Sequence, residues 1–362
     1  MTTMDPRPTV DGLRAAAHRV PLPEPEADGT LAWSATTVVT VVAAAGGEQG
    51  LGWTYGPAAI RDVVGEVLAP AVRGLDPHDI GRAHLRMRRA GRNAPTPGLV
   101  SYAISAVDVA LWDLKAKLLG IPLTTLFGRC RDTVPLYGSG GFTSMSDDQL
   151  CDQLTGWVRD DGMTAVKIKV AQDGGDDIAR DLQRIAIARD TVDGAAELMI
   201  DANGGYDTKP ALRVAAEAAR LGVTWFEEPV SSDRPADLAL LRAAVLPEIT
   251  AGEYGTTVEY FRRMCEAGAV DCLQVDATRC GGYTGLFAAA AVADSHGLRV
   301  STHCGPHLHA PACAALPNLR HAEWFADHVY ADSVLFAGLD TVHQGTLRPQ
   351  CDRPGHGMRL RA

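Results

Sequence analysis

The sequence lacks the features that mark membrane proteins and nucleic-acid-binding proteins. No stretch approaches the roughly 20 consecutive apolar residues that a membrane-spanning helix needs. Runs of lysine or arginine are absent, and the formal net charge is −10, so neither nucleic acid nor an anionic membrane is an expected partner. Residues 1–12 carry no apolar segment behind positive charges, which predicts a cytoplasmic protein. A small molecule is therefore the expected partner.

Cysteine is present without a pairing pattern. The eight cysteines are scattered singly, and no Cys-x-x-Cys motif occurs. This excludes a disulfide framework as the basis of the fold and predicts that most of the thiols are buried.

The patterns along the 362 residues indicate three parts. Residues 1–131 contain a β-branched run at Thr37–Ala44 and helical periodicity over Ala103–Leu119, which together predict an α+β domain. In residues 132–333, short apolar strands alternate with alanine-rich helices, which predicts an α/β barrel of parallel strands. Residues 334–362 are rich in turns and are expected to pack back on the first domain.

Eight short apolar segments carry the barrel prediction. They are Val134–Tyr137, Thr164–Val170, Leu198–Ile200, Val223–Phe226, Ile249–Ala251, Cys272–Val275, Arg299–Ser301 and His321–Trp324. Helices are predicted at Gln183–Asp190, Pro210–Leu221, Val258–Ala267 and Gly285–His296. In the first part, the proline-rich and acidic segment Pro21–Gly29 is predicted to be a surface loop, with a lid as one role open to it.

Three carboxylates end successive strands of this pattern at a constant interval. Asp201, Glu227 and Glu253 are separated by 227 − 201 = 26 and 253 − 227 = 26 residues. One strand, one helix and two short loops fill that interval, so the three side chains should converge at one end of the barrel. Converging carboxylates repel one another unless a cation neutralises them, and Mg²⁺ prefers oxygen ligands. The interval therefore predicts a Mg²⁺ site.

A pair of lysines is expected beside this site. Lys167 and Lys169 lie two residues apart on the second strand, so both ammonium groups should point to the barrel axis. Like charges in a partly dry site depress at least one pKa, which suits a general base. A solvent-facing pair on an edge strand is the alternative. Glu228 must point away from its neighbour Glu227 and could instead pair with either lysine.

A histidine and an aspartate follow the sixth and seventh strands. Asp276 bonded to one nitrogen of His303 would fix its tautomer and raise its basicity, which predicts an acid–base dyad. A polar loop histidine is one alternative. A zinc-type cluster of His303, His307 and His309 is another.

Two further strand ends carry polar groups. Glu323 on the eighth strand should face the site, where it would bond a substrate oxygen if protonated or merely balance Arg320. Asn203 shares the side of Asp201 by parity, although capping of the following turn is its alternative role.

These elements in this order resemble the enolase superfamily, specifically its mandelate racemase-like group. The matching residues are Lys167-Ile168-Lys169, Asp201-Ala202-Asn203, Trp225 to Pro229, Ala251-Gly252-Glu253, Asp276, Arg279 to Gly282, His303, Glu323 and the helix Ala103 to Asp113. The resemblance covers nearly the whole chain. It implies a (β/α)₇β barrel with an α+β capping domain, and a homo-oligomer.

The resemblance also implies the roles of residues. The superfamily removes the proton α to a carboxylate and holds the enediolate on Mg²⁺, with Asp201, Glu227 and Glu253 as the implied ligands. Lys169 would act on one face of the substrate and His303, oriented by Asp276, on the other. Lys167 would neutralise one substrate carboxylate oxygen, and Glu323 would bond the opposite one.

Two opposed bases allow either racemisation or dehydration, and a cycloisomerase shares the first half-reaction. Arg279 and His307 offer donors suited to hydroxyls, which favours dehydration of an aldonate or aldarate to a 2-keto-3-deoxy acid. Trp33 and Tyr55 lie on first-domain segments implied to close over the site and are expected substrate contacts. The intact bases argue against a non-catalytic acid-sugar binding protein, and the three-acid set argues against a zinc hydrolase.

Overall fold

The structure, a computed structural model, describes residues 8–94 and 97–361. These residues form a three-stranded antiparallel sheet with several helices, followed by a closed barrel of eight parallel strands. The first seven residues of the predicted 1–131 domain and the last residue of the predicted 334–362 segment lie outside the described residues.

The first sheet consists of β1 (Gly12–Ala27), β2 (Ala32–Ala45) and β3 (Glu48–Tyr55), paired in that order. The β-branched β2 is the central strand, and its turn to β3 uses Gly46 and Gly47 at positive φ, which only glycine adopts without cost. β2 and β3 therefore form a hairpin.

The prediction of a surface loop at Pro21–Gly29 is wrong for most of that segment, because strand β1 continues to Ala27. This strand lies at the edge of the sheet with β2 as its partner, where the missing N–H of proline is tolerated. The register shifts between Pro21 and Glu26, so the proline-rich residues between them form a bulge. Composition alone does not distinguish such an edge strand from a loop.

Short helices and one long helix complete the first part. They are α1 (Ile60–Val63), a π-helical turn (Val64–Leu68), α2 (Ala69–Val72), α3 (Ile80–Ala90), a 3₁₀ turn (Gly91–Asn93), α4 (Leu99–Leu118) and α5 (Leu123–Phe127). The long α4 packs on β2 and β3. Gly50 and Gly52 permit this approach, because a Cβ on either would lie within 2.2 Å of a carbonyl oxygen of α4.

All eight expected barrel strands are present, with small differences in their bounds. They are β4 (Val134–Gly140), β5 (Ala165–Lys169), β6 (Glu197–Asp201), β7 (Val223–Glu227), β8 (Glu248–Ala251), β9 (Cys272–Val275), β10 (Arg299–Thr302) and β11 (Leu319–Phe325). Neighbours pair in parallel, and β11 pairs with β4 to close the barrel. Their carboxyl ends therefore share one rim, where active sites of such barrels lie.

Helices follow the strands. They are α6 (Asp147–Thr155) with a π-helical turn (Gly156–Asp160), α7 (Gln172–Gly175), α8 (Ile178–Val192), α9 (Thr208–Arg220), α10 (Pro235–Ala244), α11 (Val258–Glu266), α12 (Gly282–Ser295), α13 (Pro306–Cys313) and α14 (Ala326–Leu335). The last of them contacts β1 and β2 of the first sheet as well as the barrel. Seven strand–helix units and a final strand therefore build the barrel, and α14 joins it to the capping sheet.

The end of the chain touches both parts. It contains β12 (Phe336–Ala337), β13 (Val342–His343), β14 (Thr346–Leu347) and β15 (Arg359–Leu360). β14 pairs with β4 of the barrel, whereas His356 Nε2 lies 2.8 Å from the Leu51 carbonyl oxygen of the first sheet. Domain boundaries at 131/132 and 333/334 stay predictions. Within the described ranges, no helix has both the length and the apolar character needed to cross a bilayer.

Candidate active site

Three carboxylates meet at the carboxyl rim of the barrel. One ligand atom from each of Asp201, Glu227 and Glu253 lies within 4.8 Å of the others, and all three side chains are buried. Strand register places Asp201 directly beside Glu227. Glu253 follows Gly252, which has a φ of +138°. The backbone of Gly252 packs closely against Gln274, and a Cβ there would lie 2.1 Å from the Gln274 carbonyl oxygen. The convergence that the interval predicts is therefore present.

The donor set at this point fits Mg²⁺. Glu253 Oε2 is buried and has no hydrogen-bond partner among the described residues, and the same holds for Asn203 Oδ1. A buried polar atom without a hydrogen-bond partner costs free energy, so we expect these oxygens to bind a ligand. Carboxylate oxygens are the hard donors that Mg²⁺ prefers over nitrogen or sulfur.

Both lysines point into the barrel and pair with carboxylates. Lys167 Nζ lies 2.6 Å from Glu227 Oε1 and 2.8 Å from Glu323 Oε1. Lys169 Nζ lies 2.5 Å from Asp201 Oδ2. The two lysine residues are 1% and 5% exposed, so the alternative of a solvent-facing pair is wrong.

The predicted depression of a lysine pKa is wrong in this arrangement. Burial lowers the pKa of Lys169, but the combined attraction of Asp201, Glu227 and Glu253 outweighs burial and raises the pKa above its usual value. The pKa of Lys167 is likewise raised, because Glu227 and Glu323 outweigh the effect of its burial. Each ammonium group pairs with a buried carboxylate. This attraction outweighs the electrostatic repulsion between the two lysines.

Glu228 does not pair with these lysines, so that alternative is wrong. Its backbone has a φ of +37°, and its Oε1 is buried without a partner among the described residues. Burial, followed by the nearby charge of Glu253, raises the pKa of Glu228 well above its usual range. Its carboxyl group therefore lies buried beside the three carboxylates.

The histidine and aspartate of the expected dyad are hydrogen-bonded. His303 Nδ1 lies 2.9 Å from Asp276 Oδ2, while Asp276 Oδ1 accepts a hydrogen bond from the Thr278 N–H. His303 Nε2 lies 3.4 Å from Glu253 Oε2. Burial lowers the pKa of His303, but Glu253 and the bond to Asp276 raise it to a net value above its usual range. His303 Nε2 therefore faces the carboxylates.

The other two histidines of this segment are directed elsewhere. His307 Nδ1 lies 3.1 Å from Asp332 Oδ2. His309 Nε2 accepts a hydrogen bond from the Ala277 N–H, and its Nδ1 lies 2.9 Å from the Gly305 carbonyl oxygen. The alternative of a zinc-type cluster formed by the three imidazoles is therefore wrong. Both nitrogens of His309 are already used within the fold.

Glu323 faces the site and pairs with Lys167. Burial raises its pKa, but Lys167 at 2.8 Å and other positive charges outweigh this and hold the pKa well below its usual range. Its Oε2 also accepts a hydrogen bond from the Cys304 N–H at 2.6 Å. The alternative that Glu323 only balances the charge of Arg320 is wrong, because Arg320 pairs with Glu248. The protonated form, which would donate to substrate, is disfavoured in this arrangement.

A cavity of about 280 Å³ lies between the barrel rim and the first domain. Lys169, Glu253 and His303 line it from the barrel. Among the expected substrate contacts, Trp33, Tyr55, Asn203 and Arg279 also line it. His307 does not, because it is turned toward α14.

Sequence reasoning missed two cavity residues just beyond β11. Asp327 accepts a hydrogen bond from Trp33 Nε1 at 3.0 Å, and the His328 ring stacks on Tyr55 with centroids 3.5 Å apart. Both residues come just after the eighth strand, and this position at a strand end is the sequence feature that could have identified them as cavity residues. These contacts attach the first sheet to the rim.

A closed parallel barrel, a capping sheet and a buried three-acid site beside an Asp–His pair define a metal-dependent barrel enzyme. The chain belongs to the enolase superfamily. Residues 13–128 match the mandelate racemase/muconate lactonizing enzyme N-terminal domain, and residues 149–362 match the enolase C-terminal domain-like family.

Several characterised or solved proteins are similar to this chain. L-talarate/galactarate dehydratase from Salmonella typhimurium is 31% identical over 79% of this chain and 73% of its own. A mandelate racemase/muconate lactonizing enzyme-like protein from Rubrobacter xylanophilus is 43% identical, with a TM-score of 0.93 over 97% of both chains. A racemase from Streptomyces coelicolor, solved with bound magnesium, is 30% identical with a TM-score of 0.91 over 97% of both.

Proposed function

We propose that this protein is a Mg²⁺-dependent dehydratase of an acid sugar. It removes the proton α to the carboxylate and expels the β-hydroxyl as water, and the resulting enol tautomerises to a 2-keto-3-deoxy acid. The observation that carries the proposal is that Lys169 and His303 line the same cavity as Glu253. The dehydratase from Salmonella typhimurium, similar over most of this chain, supports the reaction type.

The three buried carboxylates are the proposed ligands of Mg²⁺. Asp201, Glu227 and Glu253 supply only oxygen donors, and one of these oxygens has no partner within the described residues. When bound, Mg²⁺ supplies Lewis acidity that stabilises negative charge on the substrate carboxylate. Lys167, held by Glu323, is positioned to neutralise the same charge.

Lys169 is the proposed base for the α-proton. Its raised pKa reflects its pairing with Asp201. Once Asp201 is neutralised by another partner, burial and the neighbouring ammonium group of Lys167 favour the neutral amine. The charge balance of the site therefore controls whether Lys169 accepts a proton.

His303 is the proposed acid for the departing hydroxyl. The carboxylate of Asp276 accepts the Nδ1–H hydrogen bond, which leaves Nε2 facing the carboxylates at the cavity. Burial lowers the pKa of His303 and the hydrogen bond to Asp276 raises it, so this contact favours the protonated imidazole that an acid requires. Asp276 acts as a positioning residue, since it does not line the cavity.

The charges of the cavity favour an aldonate over an aldarate. Apart from imidazoles, the cations in the described lining are Lys169 and Arg279, and these pair with Asp201 and Glu253. The first-domain side and the adjoining α14 present carboxylates, among them Asp327. A second substrate carboxylate would therefore approach Asp28 and Asp327 on this side of the cavity, whereas hydroxyls would find acceptors there.

Racemisation or epimerisation of a hydroxy acid is the second candidate. The same two groups would serve it if His303 returned a proton to the α-carbon on the face opposite Lys169. The similarity to a racemase from Streptomyces coelicolor supports this candidate. A non-catalytic binding role is not supported, because both proposed proton-transfer groups are intact and line the cavity.

Incubation of the Mg²⁺-loaded enzyme with an acid-sugar library in D₂O tests the proposal. NMR should detect a 2-keto-3-deoxy acid from at least one aldonate, with its aldarate counterpart turned over more slowly. Lys169→Ala and His303→Asn should each lose exchange of the α-proton at one face of the substrate. Lys209→Ala, which changes an exposed residue of α9, should behave as wild type. Clean epimerisation without keto acid would support the second candidate, and full activity in both variants would refute the base assignments.

A homo-oligomeric state and a cytoplasmic location are further predictions of this proposal. Light scattering coupled to size exclusion measures the first, and fractionation of the native host measures the second.

A further inference from the structure

A thiol lies against the imidazole nitrogen that faces the cavity. Cys304 Sγ is 3.1 Å from His303 Nε2. Neighbouring side chains of an extended chain point to opposite sides. The left-handed backbone of Cys304, with a φ of +50°, lets both side chains reach the same point. Both are buried, with exposed fractions of 3% and 6%.

Carboxylate oxygens complete a mixed donor set around this pair. A nitrogen of His303, the Sγ of Cys304 and an oxygen of Glu323 lie within 4.8 Å of one another. Glu253 Oε2, a proposed Mg²⁺ ligand, lies 3.4 Å from His303 Nε2. Nitrogen, sulfur and oxygen donors therefore surround one point beside the three-carboxylate site.

We propose that His303, Cys304 and Glu323 form a second cation site, which takes a thiophilic divalent ion of the Zn²⁺ class. Zn²⁺ binds thiolate, imidazole and carboxylate tetrahedrally, whereas Mg²⁺ avoids sulfur and nitrogen donors. Ligand bonds of about 2.3 Å to sulfur and about 2.0 Å to nitrogen place these two atoms about 3.5 Å apart. The observed 3.1 Å requires only a small outward movement of either side chain.

Binding at this site would change the state of both side chains. The Cys304 thiol and the protonated His303 imidazole each give up a proton to solvent when Sγ and Nε2 become ligands, so binding should tighten as pH rises. His303 Nε2 becomes a ligand and loses its capacity to hold or donate a proton. If the proposed function is correct, a thiophilic ion therefore inhibits the enzyme without removing Mg²⁺. The binding itself does not depend on that function.

Cobalt spectroscopy of the full-length, Mg²⁺-saturated protein tests this site directly. Co²⁺ substitutes for Zn²⁺ in tetrahedral sites, and thiolate coordination gives a charge-transfer band in the near ultraviolet. Titration should produce this band at one equivalent of Co²⁺, and Zn²⁺ should abolish it by displacement. Cys304→Ser should lose the band, whereas Cys130→Ser, which changes an exposed thiol, should retain it.

The outcomes separate this proposal from the proposed function. Absence of the band in wild type, its survival in Cys304→Ser, or its loss on raising Mg²⁺ would each overturn the second site. Cys304→Ala with a circular dichroism spectrum provides the check if the serine variant does not fold. In activity assays, Zn²⁺ inhibition should persist in excess Mg²⁺ and should need at least about tenfold more Zn²⁺ in Cys304→Ser. A protein without dehydratase activity would still show the cobalt band.

Discussion

Asp276 Oδ2 lies 2.9 Å from His303 Nδ1, and this contact determines which imidazole nitrogen faces the carboxylates. An asparagine at this position can donate to Nδ1 and so stabilise the wrong tautomer. Asp276→Asn should therefore lower kcat by about 10²- to 10⁴-fold with little change in KM. Steady-state kinetics measure the effect, and ¹⁵N NMR of the histidine should show the altered tautomer.

Asp62→Asn is the matched control for this variant, because Asp62 pairs with Arg61 on the surface. Its kinetics should match wild type. A normal kcat in Asp276→Asn would show that tautomer control by this carboxylate is not needed.

Metal binding should be visible as stabilisation of the folded protein. A cation that binds the three carboxylates only in the folded protein stabilises the fold, so Mg²⁺ should raise the unfolding midpoint. The gain is about 2.7 kcal/mol when free Mg²⁺ is 100 times its dissociation constant. Glu253→Gln should lose most of this gain, and a chelator should remove it from wild type.

Differential scanning calorimetry with and without Mg²⁺ measures this change. Glu266→Gln alters a surface glutamate paired with Arg262 and should respond to Mg²⁺ as wild type does. An equal Mg²⁺ response in Glu253→Gln would place the cation elsewhere.

The backbone before Glu253 should be intolerant of a side chain. Gly252 has a φ of +138°, and a Cβ there would lie 2.1 Å from the Gln274 carbonyl oxygen. Gly252→Ala must move the chain that carries Glu253, so it should lower both stability and Mg²⁺ affinity, the latter by at least about tenfold. Isothermal titration calorimetry measures the affinity.

Gly81→Ala is the control for that variant. Gly81 lies within α3, and a Cβ there meets nothing within 4 Å. The alanine should therefore stabilise the helix by up to about 1 kcal/mol and leave Mg²⁺ affinity unchanged. Equal affinities in both variants would mean that the turn does not position Glu253.

Periodicity made the carboxylates and lysines predictable from sequence. One strand–helix unit repeats the position of Asp201 at Glu227 and Glu253, and strand parity directs Lys167 and Lys169 inward. Both rules depend only on neighbours along the chain. They were sufficient to assign the barrel and the acidic site.

Properties that depend on partners distant in sequence were not predictable in this way. The pKa of Lys169 depends on its burial and on Asp201 on another strand, and the orientation of His307 is set by Asp332 on α14. The proline-rich end of β1 depends on its place at a sheet edge, which no local pattern encodes. Tertiary contacts decide each of these three cases.

Glu26 at the bulged end of β1 should make stability depend on pH. Burial, followed by the charge of Asp327, raises its pKa from 4.5 to about 8. Between these values the folded protein holds Glu26 protonated while the unfolded chain has released the proton. The unfolded state then binds fewer protons, so the free energy of unfolding contributed by this group falls as pH rises from 4.5 to about 8.

Glu26→Gln removes this titration and should flatten the pH profile, with the largest gain relative to wild type near and above pH 8. Urea unfolding across this range measures the difference. Glu24→Gln is the control, because Glu24 is an exposed residue on the same strand that accepts a hydrogen bond from Gln149. Parallel profiles for wild type and Glu26→Gln would mean that this carboxyl is ionised in the folded protein throughout. Because Asp327 also binds Trp33 at the cavity wall, a flattened profile would show that charge at this wall is coupled to folding of the capping sheet.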